Sequence, residues 1–130
     1  MLSITTKSPY AIRALTELGR SGESGPVPIA ELARRREIPV QFLEQLFSEL
    51  RRAGLLRSFR GAKGGYAFAR DPATVTVLEV VELLDGRLDA DATGVFAEAA
   101  SAARAVLAAV TLAELIEREQ RDGVTAMYYI

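Results

Sequence analysis

The 130-residue chain contains no cysteine and no histidine. Their absence removes disulfides, thiolate nucleophiles, histidine general bases and every zinc site built from those ligands. An enzyme made from this sequence would have to run on carboxylates, lysine, serine or tyrosine alone. The acidic residues do not gather around such a group: Glu79 and Glu82, like Glu114 and Glu117, stand three apart, as on solvated helix faces. The sequence therefore reads as a non-enzyme. Lysine is also scarce, with only Lys7 and Lys63 among 16 basic residues. No apolar run approaches the ~20 residues of a membrane span. The start, MLSITTKSPYAI, lacks the continuous apolar segment of a signal peptide. A cytoplasmic protein with no membrane partner is expected. With 5 prolines and 49% apolar residues, the chain can bury the core of a single domain.

The net charge of −1 conceals a division. Residues 1–70 carry 12 Lys+Arg against 6 Asp+Glu, whereas residues 71–130 carry 4 against 11. Eight of the twelve basic residues in the first part fall between Arg34 and Lys63. Such clustering points to an anionic partner for the N-terminal part, although two solvated surfaces of opposite sign would give the same totals.

Helical periodicity sets in early. Ala11, Ala14, Leu15 and Leu18 share one face of a helix over about 7–19, with Thr6 as its expected cap. After RSGESGP, a short helix IAELARRR buries Ile29, Leu32 and Ala33. EIP then makes a tight connection to a third helix, VQFLEQLFSELRRAG, which Pro39 suits as a start and Gly54 as a stop. Phe42, Leu43, Leu46, Phe47 and Leu50 line one side of it; Gln41, Glu44, Gln45, Ser48, Arg51 and Arg52 line the other. A short and a longer helix joined by about three residues is the helix-turn-helix pattern. Glutamine and arginine on its second helix suit base edges and phosphates, though an ordinary solvated helix face has the same composition.

Next come two strand-like runs, LLRSF and YAFA, around the tip RGAKGG. A phosphate-binding P-loop needs Lys-Ser or Lys-Thr opening a helix, but Lys63 is followed by Gly64, Gly65 and a strand. A basic hairpin directly after a helix-turn-helix is instead a wing, whose arginine can enter the minor groove. Beyond it, Val77, Val80, Val81 and Leu84 mark a fourth helix ended by Gly86. RLDADATG is a polar linker into an alanine-rich helix over about 95–110. Its Phe96, Ala99, Ala103, Val106, Leu107 and Val110 form a stripe suited to dimerisation, or to packing within the chain. Thr111 and Glu114 have capping-box spacing for a further helix, TLAELIERE. The tail GVTAMYYI is apolar and rich in strand formers. The expected fold is mainly α with a small β-hairpin wing: a winged helix-turn-helix over residues 1–86, then a long C-terminal dimerisation helix region and tail over 87–130.

The segments TTKSPYAIRAL, VPIAELARRREIPVQFLEQLFSELRRAGLLRSFRGAKGGYAFARDP and TLAEL closely resemble the Rrf-two family of bacterial transcription regulators. The likeness is dense over residues 2–86 and loose beyond. It implies a homodimer that binds double-stranded DNA at palindromic operators, usually as a repressor. It implies base reading by Gln41, Phe42, Glu44 and Gln45, and Arg60 in the minor groove. Gly61, Lys63, Gly64 and Gly65 would form the phosphate-facing tip, and Lys7, Tyr10 and Arg51 would contact the backbone. Many members hold an iron–sulfur cluster through three cysteines between the fourth helix and the dimerisation helix. Here that region reads GRLDADATGVFAEAASAARA. Asp89 and Asp91 could each supply one ligand of a mixed set, but without soft ligands they cannot hold a cluster. No cofactor is expected, and control would fall to a small-molecule effector, a protein partner, or neither. The competing reading is a winged-helix module that binds a protein rather than DNA.

Overall fold

The computed structural model describes residues 5–22 and 25–129, with side chains described as far as residue 122. The elements run α1 (Lys7–Ser21), α2 (Ile29–Arg36), α3 (Val40–Arg52), β1 (Leu56–Phe59), β2 (Gly65–Phe68), a 3-10 turn at Pro72–Thr74, α4 (Val77–Asp85), α5 (Gly94–Ala108) and α6 (Leu112–Tyr129).

Most boundaries have a local cause. Thr6 occupies the first cap position but its side chain makes no capping bond. The hydroxyl of Thr5 accepts from the Lys7 N–H instead, at 3.2 Å. The α2 helix stops because Glu37 turns to a left-handed φ of 54°, where its N–H reaches the Ala33 and Arg34 carbonyls. Gly54, at φ 82°, does the same for α3. Thr76 and Thr111 accept from the N–H groups of Glu79 and Glu114, at 3.1 and 3.2 Å, and so start α4 and α6.

The three N-terminal helices enclose the core. Ala11, Leu15 and Leu18 of α1 meet Leu32 of α2 and Leu43, Leu46, Phe47 and Leu50 of α3. Leu56 of β1, Val80 of α4 and Leu112 of α6 close the cluster. The chain's C-terminal third thus shares the core of the N-terminal helices rather than standing apart from it.

Two pairings were not visible in the sequence. Val27, just before α2, exchanges backbone hydrogen bonds of 2.9 and 2.8 Å with Tyr66, adding a single-residue third strand to the hairpin. Thr76 pairs with Thr111, and the flanking bonds from Val77 to Val110 and from Leu112 to Val75 are both 2.9 Å. These bonds place Val110 in the junction between α5 and α6, beyond the end of the helix expected to carry it. The tail GVTAMYYI, for all its strand formers, is helical in its backbone to Tyr129, continuing α6; the tail's side chains, from residue 123, lie outside the described residues. Adding a residue to a capped helix gains a hydrogen bond without a new nucleus, which outweighs the β preference of a short run.

The Val27 bridge puts a demand on Gly65. Its φ is 148°, and a Cβ there would lie 2.3 Å from the Val27 backbone. Gly65→Ala is expected to cost on the order of 2 kcal/mol of stability, because a strained backbone would have to move against another backbone. Thermal unfolding of the variant checks this.

Candidate nucleic-acid interface

The candidate recognition surface is built on the division of α3. Leu43, Leu46, Phe47 and Leu50 are buried, and Gln41, Glu44, Gln45, Arg51 and Arg52 are exposed. A shallow groove runs along the outer face between Gln41, Glu44, Gln45, Ser48, Glu49 and Arg52. The glutamine amides can both donate to and accept from adenine, and a carboxylate can accept from a cytosine amino group. Phe42 is placed differently from Gln41, Glu44 and Gln45. It is half-buried, its ring edge-on to Tyr10 at 5.7 Å and 82°, so it joins the first turn of α3 to the first turns of α1. The Arg13 guanidinium lies 5.7 Å from the centre of the same Tyr10 ring. The hydroxyls of Thr5 and Ser8 both donate to the Asp85 carboxylate, fastening the start of α1, where Lys7 sits, to the end of α4.

The wing is fixed to α3 by one aromatic pair. Tyr66 of β2 meets the buried Phe47 ring at 5.2 Å and 76°. β1 and β2 pair antiparallel from Leu56↔Phe68 to Phe59↔Gly65, which leaves Arg60, Gly61, Ala62 and Lys63 exposed at the tip. The tip closes with a 3.0 Å bond from the Gly64 N–H to the Gly61 carbonyl. A Cβ on Gly64 would lie 2.3 Å from the Phe59 carbonyl oxygen, so the hairpin itself requires glycine here, before any ligand approaches. Phe59 is exposed beside the tip, with the Arg57 guanidinium 5.4 Å from its ring centre.

The cations divide into two groups. The triplet that made residues 34–63 look so basic is spent within the protein. Arg34 and Arg35 pair with Glu31, and Arg35 also reaches Glu17 and Ser21. Arg36 is half-buried between Glu17, at 2.9 Å, and Glu119 of α6, at 3.0 Å. Burial pushes the Glu17 carboxyl upward, but hydrogen bonds from Ser21, Arg36 and Arg35 outweigh it and hold the group below its ordinary value. The hydrogen bond from Arg36 does the same for Glu119. Among the described residues, Lys7, Arg51, Arg52, Arg60 and Lys63 hold no ion pair. They belong to the start of α1, the end of α3 and the wing tip; Arg13, Arg57 and, on α6, Arg121 hold none either.

Residues 4–118 match the Rrf2 family model, described as an iron-dependent transcriptional regulator. The chain belongs to the Rrf2 family. Among curated relatives, the HTH-type transcriptional regulator IscR of Escherichia coli O1:K1 / APEC is 40% identical over 89 residues, 68% of this chain and 55% of that protein. IscR of Cronobacter sakazakii is 42% identical over the same shares. The chain thus spans about half the length of the curated relatives it matches. The solved structure of T. potens IscR superposes with a TM-score of 0.80 at 34% identity, covering 91% of this chain and 88% of that one. The B. subtilis global cysteine regulator CymR gives 0.81 at 31% identity, covering 91% and 98%. The expected winged-helix fold and transcription-regulator family are both met. These relatives are named as regulators, not enzymes. No helix among the described residues is long and apolar enough to cross a membrane.

The Rrf2 description invokes iron, and the donor set here does not fit it. Among the described residues no group of three or more His, Cys, Asp or Glu side chains could hold a metal ion. Asp89, one of the two candidate ligands in the linker, is held by Arg87, whose hydrogen bond keeps its carboxyl below the ordinary value. The linker is instead closed by protein groups. Glu82 accepts from Arg104 of α5 at 2.9 and 3.0 Å and from the Leu88 N–H at 3.0 Å, and Leu88 is buried. The helix face that looked merely solvated in the sequence is therefore a tether between α4 and α5.

On α5 itself only Ala100 is buried. Val95 is 66% exposed, Phe96 58% and Val106 66%, with Ala99 exposed and Ala103, Leu107 and Val110 half-buried.

The Arg36 cluster makes a pH prediction. Depressed carboxyl values contribute stability that is full above the ordinary value of 4.5 and is lost as pH falls through the lower folded value. Glu119→Gln should lower stability at neutral pH by about 0.5–1 kcal/mol, given the partial exposure of the pair. Its further loss on acidification should be shallower than that of the unaltered protein. Urea unfolding at pH 7 and below pH 4.5 measures both.

Proposed function

We propose that this chain is a homodimeric, sequence-specific DNA-binding regulator, a repressor that acts on a palindromic operator without a metal cluster. The observation that carries this reading is the sorting of the cations. Arg34, Arg35, Arg36, Arg70 and Arg104 pair with carboxylates, whereas among the described residues Lys7, Arg51, Arg52, Arg57, Arg60 and Lys63 hold no ion pair, and Arg51 and Arg52 end the helix that exposes Gln41, Glu44 and Gln45. A polyanion that displaces counterions needs such unpaired cations, and base edges need such amides. Residues 1–86 would carry the DNA contacts. Gln41, Glu44 and Gln45 read bases in the major groove, Arg60 enters the minor groove, and Lys7 and Arg51 hold phosphates. Residues 87–130 would carry the dimer contacts. The exposed Val95, Phe96 and Val106 support this, because α5 leaves them to water in a single chain and a second α5 would cover them. Cluster-free action is supported by the absence of thiolates and by the Glu82–Arg104–Leu88 tether, which closes the linker with the chain's own groups.

Operators enriched from fragmented genomic DNA provide the test, with affinity read by fluorescence anisotropy across a salt series. Arg51→Ala should weaken binding to all sequences and flatten the log–log salt slope of the dimer by about two units, since one phosphate per protomer would no longer be neutralised. Arg60→Ala should weaken it roughly tenfold or more, most of all where the minor groove is narrow. An iron chelator should change neither affinity. Unchanged affinity in both variants would refute the interface. Separately, Phe96→Glu should convert the dimer to monomer in sedimentation velocity and weaken operator binding, since a charge would be buried against its own copy.

A further inference from the structure

The start of α3 carries one residue that its neighbours do not explain. Val40 is the first residue of the helix and is 40% exposed, on a turn otherwise presenting Gln41 and Glu44. It is not among the residues of the core cluster or those packed against it, to which α3 contributes Phe42, Leu43, Leu46, Phe47 and Leu50. Nor is valine a good choice for an exposed helical position, where its β-branch restricts rotamers and lowers helix propensity. Most other large apolar side chains that remain exposed lie elsewhere: Leu83 on α4, and Val95, Phe96 and Val106 on the α5 face assigned to the second copy.

We infer that Val40 is a specificity-determining residue that packs on the C5-methyl group of a thymine in the operator's major groove; the inference rests on the DNA-binding reading above. When a recognition helix docks, its N-terminal residues meet the base edges. Thymine alone among the four bases presents a methyl group in that groove, and an apolar side chain is what can distinguish it. The two Val40 methyls are held nearly fixed by the β-branch, so little side-chain freedom is given up on docking. Pro39 sets the backbone directly before it, and the Phe42 ring locked edge-on to Tyr10 holds the turn from the other side. Gln41, adjacent in sequence, suits an adenine, so the helix start would read an A·T-containing step through one amide and one methyl contact.

The test replaces each thymine of an enriched operator, one at a time, with deoxyuridine, which keeps the pairing and removes only the methyl group. One thymine in each half-site should show about a three- to fivefold loss of affinity per half-site, as expected for one buried methyl group. In Val40→Ala that sensitivity should disappear while thermal stability and the salt slope stay close to those of the unaltered protein, because the residue lies outside the core cluster and carries no charge. A double-mutant cycle over valine and methyl should accordingly be non-additive. Uracil sensitivity that persists unchanged in Val40→Ala, or no sensitive thymine in an operator that still binds specifically, would overturn the role of Val40 alone. Failure of the unaltered protein to prefer any duplex would overturn this inference and the DNA-binding reading together.

Discussion

The edge-to-face contact between Phe47 and Tyr66 is the constraint on which the recognition surface depends. Phe47 is the largest fully buried side chain of α3, on the face opposite Gln41, Glu44 and Gln45. Tyr66 lies at the centre of the hairpin and is bonded through its backbone to Val27. This aromatic pair, with the Val27 backbone bonds, sets the wing that carries Arg60 against the helix proposed to read bases. Gly64 and Gly65 follow from the same arrangement. The hairpin can close over Phe59 and lie against Val27 only where no Cβ intervenes. The resemblance implied a phosphate-facing role for these glycines; close backbone packing is the reason the structure supplies.

A second organising element is electrostatic. Arg36 sits between Glu17 of α1 and Glu119 of α6, and so ties the first helix of the domain to the C-terminal helix. Glu82 plays a similar part at the other end, holding Arg104 and the Leu88 backbone. Both are partly buried pairs with several hydrogen bonds each, which makes them worth more as fasteners than isolated surface pairs. They bear on function because they withdraw arginine from the surface. Among the cations left unpaired in the described residues are Arg51 and Arg52, at the end of the helix that exposes Gln41, Glu44 and Gln45, and Arg60 and Lys63 at the wing tip.

Much of this was legible in the chain. The α2 bounds, the Pro39 start and Gly54 stop of α3, the hairpin between LLRSF and YAFA, and the Thr111 cap of α6 are local events. Each depends on residues within a few positions of one another, so the sequence pattern reveals them. The single-residue strand at Val27, the Thr76–Thr111 bridge and the Tyr10–Phe42 contact were not legible. Each joins segments more than 30 residues apart, and no periodicity encodes such a meeting. The state of the tail was not legible either, because its strand-forming residues follow a helix that already runs into them.

By itself the sequence determined the element order, the two-faced character of α3, the basic glycine-rich wing tip, and the want of any thiolate to hold a cluster. Those properties are set by residue identity and short-range spacing. Only the tertiary structure decided which charges are free. Arg34, Arg35 and Arg36 look no different in sequence from Arg51, Arg52 and Arg60. Arg34 and Arg35 meet Glu31 one turn back on their own helix, whereas Glu17 and Glu119, which hold Arg35 and Arg36, are brought to them by folding; no carboxylate is brought to Arg51, Arg52 or Arg60 among the described residues. An arginine's availability to a ligand is a matter of distance to the nearest carboxylate, and across separate helices that distance exists only once the chain has folded.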